Sequence, residues 1–290
     1  MTQITPISDS FSPAEMAHKA ETISLKKVGL DTISMFALAF LAGTYIAFGA
    51  VIATTIATGG SALPYGVNKL LVGLVFTLGL ILVVIGGAEL FTGNNLIIIG
   101  YLSGKITLRS MLRSWVVVYL GNFVGSVFIA ALMLLAKEYT FANGAVGLTA
   151  LNIGAAKTGL GFIQAIALGI LCNILVCLAV WLTFSARTTG DKILAIIPPI
   201  AAFVAAGFEH SVANMYFVPM ALFIKHSKDM AFFNLIDKVP ADYSSLTWGN
   251  FLMGNLLPVT IGNMIGGAGF VGLLYWFIYL RRSSQPERYS

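Results

Sequence analysis

Long apolar runs separated by short charged intervals set the pattern of this chain. Residues 32–68, 70–88, 90–104, 114–136, 158–186, 193–208, 211–224 and 243–280 contain no Asp, Glu, Lys or Arg. A bilayer core of roughly 30 Å requires about 20 helical residues, so the runs 32–68, 114–136, 158–186 and 243–280 can each cross alone. Runs 193–208 and 211–224 are each too short and join into one interrupted span. Residues 70–104 also read as one broken element, with Glu89 in the middle and the cluster Thr92, Gly93, Asn94 and Asn95 marking the interruption, because such residues break helices. The pattern predicts an all-α membrane protein with six transmembrane helices, of which the second and fifth are discontinuous.

Composition removes the soluble alternative. Hydrophobic types make up 58% of the 290 residues and charged types 10%, against about 25% charged in soluble domains. The 30 glycines fit close helix packing in a bilayer. Cys172 and Cys177 lie in an uncharged stretch and form neither a zinc site nor a disulfide framework. The net charge of +5 is dispersed among segment ends rather than clustered with aromatics, so nucleic acid is not expected as a partner. Six spans sort the 17 basic residues into eleven on one side (Lys19, Lys26, Lys27, Lys105, Arg109, Arg113, Arg187, Lys192, Arg281, Arg282 and Arg288) and six on the other (Lys69, Lys137, Lys157, Lys225, Lys228 and Lys238). The positive-inside rule then places both termini in the cytoplasm. Residues 1–29 lack a secretory signal, so the first span is expected to direct insertion. Ser12, Pro13 and Glu15 form a capping box ahead of Met16, Ala20 and Ile23, predicting a short amphipathic helix that anchors at the interface, gates, or docks a cytosolic partner. Residues 30–280 form the channel domain and 281–290 a cytoplasmic tail.

Two spacings occur twice. Gly87, Glu89 and Asn94 give G-x-E-x4-N in the second span, and Gly207, Glu209 and Asn214 repeat it in the fifth. Gly121, Asn122 and Gly125 give G-N-x-x-G in the third, matched by Gly262, Asn263 and Gly266 in the sixth. Each half has an odd number of spans, so the copies, about 30–137 and 158–280, cross in opposite senses: an inverted repeat whose broken helices face each other near the midplane. Half-helix N-termini there offer N–H groups and partial positive charge to a small anion.

Charge in apolar territory costs at least a few kcal/mol and calls for a reason. Glu89 and Glu209, being symmetric, fit a fold-holding role, accepting hydrogen bonds from backbone N–H groups at the breaks. His210 has no counterpart, because Leu90 occupies its place in the first half. It is either a packed side chain or an imidazole that offers a proton or positive charge to an anion. Thr92 is either a loop cap or a hydroxyl donor. Asn122, Asn173, Asn214 and Asn263 read as interhelical hydrogen-bond groups with the same ambiguity. Lys157 is a snorkelling end residue or an anion-attracting charge at a vestibule. Phe76, Leu80 and Phe203 pack, or narrow a pore. An enzyme using Glu209 and His210 as an acid/base pair lacks any second constellation to complete its site. No cofactor or metal is expected.

The segments G-G-A-E-L-F-T (86–92), G-F-E-H-S-V-A-N-M (207–215) and P-V-T-I-G-N-M-I-G-G (258–267) resemble the signatures of the formate/nitrite transporter family. The resemblance covers almost the whole chain. It implies an aquaporin-like protomer with an inverted three-plus-three repeat, assembled as a homopentamer in a bacterial inner membrane, each subunit with its own pore for formate and similar anions. Nitrite or hydrosulfide is the alternative cargo. The family pattern makes His210 the central pore histidine and Thr92 its partner. It sets Phe76, Leu80 and Phe203 at a periplasmic constriction and Leu90 and Phe91 at a cytoplasmic one. Lys157, Asn173, Glu209, Asn214 and Asn263 fall where the route around the histidine is shaped or polarised. Glu89 departs from the pattern, which has the shorter aspartate there. His210 would either pass a proton to the anion or supply positive charge alone.

Overall fold

The computed structural model describes residues 10–281; Arg282, Arg288 and the rest of the expected tail lie outside the described residues, as do residues 1–9. Helix α1 (Pro13–Val28) starts at the expected capping box. Ser12 Oγ accepts from the Glu15 N–H, while Glu15 Oε2 accepts from the Ser12 N–H at 2.7 Å, an arrangement of about 1 kcal/mol. Met16, Ala17 and Ala20 form its buried stripe.

The chain continues through α2 (Thr32–Ala57), α3 (Tyr65–Gly86), α4 (Phe91–Asn94), a 3-10 turn (Asn95–Ile97) and α5 (Ile98–Leu102) to α6 (Leu108–Leu135). There follow α7 (Ala145–Thr158), α8 (Phe162–Ser185), α9 (Thr189–Ala205), α10 (Ser211–His226), the short α11 (Met230–Leu235) and α12 (Asn250–Tyr279). Helix α12 alternates between π and α turns. Among the described residues five helices, α2, α3, α6, α8 and α12, are long and apolar enough to cross a membrane. The outer faces agree: Ile33, Val116, Ile163, Leu194 and Phe270 are all more than half exposed, as befits a surface solvated by lipid rather than water.

The G-N-x-x-G spacings are contact points. A Cβ at Gly125 would strike the Phe40 carbonyl of α2, and one at Gly262 or Gly266 would strike the Ile166 or Ile170 carbonyl of α8. Thus α6 lies backbone-to-backbone on α2, and α12 lies in the same way on α8.

Both breaks share one construction. Gly87 and Gly207 adopt left-handed φ of 76° and 75°, and the next N–H groups, of Ala88 and Phe208, close back onto the Val83 and Phe203 carbonyls at 2.9 and 3.0 Å. This is the six-to-one closure by which glycine ends a helix. Three extended residues, 88–90 and 208–210, lead to the next helix. The first interruption therefore sits upstream of the Thr92–Asn95 cluster, which is itself helical. The cluster does not break the helix because Asn94 and Asn95 send their amides to Glu89 and the Phe91 carbonyl, leaving their own backbone free to wind.

Candidate functional site

Each break is fastened by a lysine, a glutamate and asparagines. In the first, Lys27 Nζ lies 2.8 Å from Glu89 Oε1 and Asn94 Nδ2 donates to Glu89 Oε2 at 2.7 Å. In the second, Lys157 Nζ lies 2.8 Å from Glu209 Oε1 and Asn214 Nδ2 donates to Oε2 at 2.6 Å, joined by Asn255 Nδ2 at 3.3 Å. The backbone is served twice over by another asparagine. Asn122 Nδ2 donates to the Ala39 and Glu89 carbonyls and its Oδ1 accepts from the Phe91 N–H. Asn263 does the same for the Gly169 and Glu209 carbonyls and the Ser211 N–H. The Glu89 and Glu209 N–H groups reach the Leu38 and Leu168 carbonyls.

This arrangement bears on three expectations. The carboxylates take side-chain donors, not backbone N–H groups, because the asparagines of α6 and α12 already hold the extended backbone. Lys157 lines a vestibule but is not a loose snorkelling end: it is 15% exposed and ion-paired with Glu209. Of the first N–H groups of α4 and α10, those of Phe91, Ser211 and Ala213 donate to side chains and are not vacant for an anion.

Between the two half-helix starts, Thr92 Oγ1 and His210 Nε2 lie 2.9 Å apart, both buried. His210 caps α10: its Nδ1 accepts from the Ala213 N–H at 3.0 Å. An imidazole nitrogen that accepts carries no hydrogen, so the neutral ring has its hydrogen on Nε2, directed at Thr92. A second proton would put two N–H groups face to face and undo the cap. Asn173 Nδ2 donates to the Asn263 carbonyl at 2.7 Å and to the Thr92 carbonyl at 3.3 Å.

Two vestibules of about 290 Å³ each approach this centre from opposite ends. One is lined by Lys157, Glu209, His210, Asn214, Phe76 and Phe203. Phe76 and Phe203 meet edge-to-face at 5.8 Å, and Phe203 stacks on the His210 ring at 5.9 Å. The other is lined by Lys19, Lys27, Lys192, Glu89, Leu80 and Leu90. Leu80 thus lines the vestibule of Leu90, one turn along α3 from Phe76 and on the same face of that helix. Phe91 lines neither vestibule. It packs on Tyr119 and Trp115 at 4.9 and 6.5 Å and forms the floor of a separate apolar groove of about 510 Å³ between α6 and α12. Phe91 is the first residue of α4, and the turn away from the extended stretch swings its ring outward.

Sequence reading missed Lys27, treated only as a topological charge, and Asn255, as well as α7, which presents Lys157 from its last turn. A signal for Lys27 was present: K-x-G-L occurs at 27–30 and again at 157–160, each time just before a long helix.

The profile described as Formate/nitrite transporter matches residues 14–277. The chain is 44% identical to the formate channel FocA of Escherichia coli (strain K12), over 95% of this chain and 96% of that one. It is 42% identical to the formate channel FocA of Haemophilus influenzae, over 93% and 95%. A solved structure described as a pentameric formate channel with formate bound superposes with a TM-score of 0.80 at 46% identity, covering 86% of this chain and 98% of that one. One described as an FNT family ion channel gives 0.78 at 30% identity, covering 91% and 98%. With a matching profile over nearly its full length and broken helices pinned at the signature residues, the chain belongs to the formate/nitrite transporter family.

Proposed function

We propose that this protein conducts formate and similar small monovalent anions across the bacterial cytoplasmic membrane. Five copies assemble, each a six-span protomer with an aquaporin-like inverted three-plus-three repeat and both termini in the cytoplasm. The duplicated Lys–Glu–Asn fastenings support the repeat, and the pentameric formate channel that the chain resembles supports the assembly and the cargo. The protein is a transporter, not an enzyme. The observation that carries the reading is the Thr92–His210 contact, set between the starts of two half-helices at the floor of a vestibule that also holds Lys157.

An anion in that vestibule meets the positive charge of Lys157, tempered by Glu209, and then the Phe76–Phe203 ring pair. Beyond His210 lie Leu80 and Leu90. An ion crosses such apolar belts only at high cost, because hydration is lost with no compensating partner. The Nε2–H and the Thr92 hydroxyl are the polar groups at the centre. An imidazolium there donates a proton to a weak-acid anion, which crosses neutral. Formation of that imidazolium breaks the Ala213 cap, so flux carries a pH dependence set by His210.

His210→Asn keeps a side-chain acceptor for the Ala213 N–H and removes the titrating ring. Formate flux into liposomes is expected to lose its pH dependence in this variant; an unchanged pH profile refutes the proton-transfer role. Nitrite and hydrosulfide, offered as competitors in the same assay, decide the preferred cargo.

A further inference from the structure

The two halves share their fastenings but differ at a few buried positions, and the differences converge on one point. Counting equal steps from Leu38 and Leu168, whose carbonyls accept the equivalent Glu89 and Glu209 N–H groups, sets Asn173 opposite Gly43 and Cys177 opposite Ala47. Counting from the two glutamates sets Thr92 opposite Val212 and His210 opposite Leu90. Counting from Asn122 and Asn263 sets Gly267 opposite Ser126.

These asymmetric residues are joined. His210 meets Thr92 through its hydroxyl. The Thr92 carbonyl accepts from Cys177 Sγ at 3.3 Å and from Asn173 Nδ2 at 3.3 Å; the two donors lie one turn apart on α8. Asn173 and Cys177 are fully buried. Gly267 makes the room: a Cβ there would collide with the Asn173 amide and stand 2.8 Å from Cys177 Sγ. In the first half Gly43 and Ala47 carry no polar side chain, and Ser126 fills the space by donating to the Gly43 carbonyl at 3.2 Å. A scaffold built twice needs no thiol at this position to fold, because its other copy has alanine.

We infer that Cys177 is a positioning residue of the passage. Its S–H, beside the Asn173 amide, holds the Thr92 carbonyl and so fixes the first turn of α4 with the Thr92 hydroxyl against His210 Nε2. A thiol is a weak donor, and two weakly held bonds on one carbonyl define the direction of that peptide better than either alone. Gly267 acts with it, as the vacancy that lets the thiol approach. The inference rests on the reading of Thr92 and His210 as the conducting centre.

The test uses the full-length protein in liposomes, with Cys177→Ala, Cys177→Ser and Gly267→Ala. Formate flux is read alongside the ¹⁵N imidazole resonance of His210, assigned by its loss in His210→Asn. Cys177→Ala is expected to lower flux about twofold, the equivalent of a hydrogen bond at the weak end of the range, and to shift the Nε2 resonance as the Thr92 contact loosens. Cys177→Ser, which restores a donor, recovers both. Gly267→Ala, which crowds a thiol still present, reproduces the loss. An Nε2 resonance unmoved in Cys177→Ala, or a serine variant no better than alanine, overturns the inference. Absence of formate flux in the parent protein sinks the transport reading instead, and the Nε2 response still decides the positioning role.

Discussion

The Lys157–Glu209 pair allows a quantitative forecast. At 2.8 Å and an effective dielectric of about 20, the Coulomb attraction is about 6 kcal/mol, much of it offset by the desolvation of both groups. Lys157→Met leaves a carboxylate that is 7% exposed without its counter-charge. Loss of one partner of a buried pair costs about 3–5 kcal/mol, and the amides of Asn214 and Asn255, still bonded to Glu209 Oε2, keep the cost near the low end, about 3 kcal/mol. Glu209→Gln leaves an ammonium that can reach vestibule water, and about 2 kcal/mol follows. The double variant removes both charges and is expected to cost only about 1–2 kcal/mol, so the cycle closes on a coupling of about 3–4 kcal/mol. Equilibrium unfolding in mixed detergent–SDS micelles measures all four corners. The equivalent cycle at Lys27 and Glu89 should give a smaller coupling, because Lys27 is 25% exposed against 15% for Lys157. Single-variant costs that simply add, to within about 0.5 kcal/mol, would refute the fastening role of the pair.

Two further forecasts concern backbone and acid stability. Gly87→Ala places alanine at φ 76° in open space, a purely conformational cost of about 1–2 kcal/mol, whereas Gly125→Ala drives a methyl into the Phe40 carbonyl and should lower the unfolding midpoint far more; equal losses in the two variants would contradict the packing described for α2 and α6. Asp229, between α10 and α11, has its carboxyl held below the usual range by hydrogen bonds from the Tyr139 hydroxyl and the Phe232 N–H. A depressed folded-state value means stability that is present above about pH 4 and is lost as pH falls through that lower value. The midpoint difference between the parent and Asp229→Asn should therefore be present at neutral pH and close in acid, and a gap independent of pH would show that the carboxylate is not its source.

The repeat was legible in sequence because the same hydrogen bonds are built twice with the same residues: a glutamate, an asparagine five positions on and a glycine before them leave a fixed spacing. What binds to that spacing from elsewhere in the chain left weaker traces. Lys27 and Lys157 come from helices outside the broken spans, and only the short K-x-G-L pattern ties them together. The position of the first break was misjudged because propensity treats Asn94 and Asn95 as helix breakers, whereas here their side chains are consumed by Glu89 and the Phe91 carbonyl. Leu80 shares a face of α3 with Phe76 but stands one turn, about 6 Å, further along the axis, a displacement that residue type alone does not reveal. Phe91 opens α4 directly after an extended stretch, so its direction depends on the turn between the two and not on its neighbour Leu90.

The glycine contacts weld α2 to α6 and α8 to α12, whereas α6 and α12 face each other across the apolar groove and meet through the Tyr119 and Thr260 hydroxyls, 2.9 Å apart. Mechanically each welded pair is a stiff stave, and along this face the two are joined by side chains and not by backbone. Behind that face stands Phe91, and the threonine that faces the imidazole is next in line.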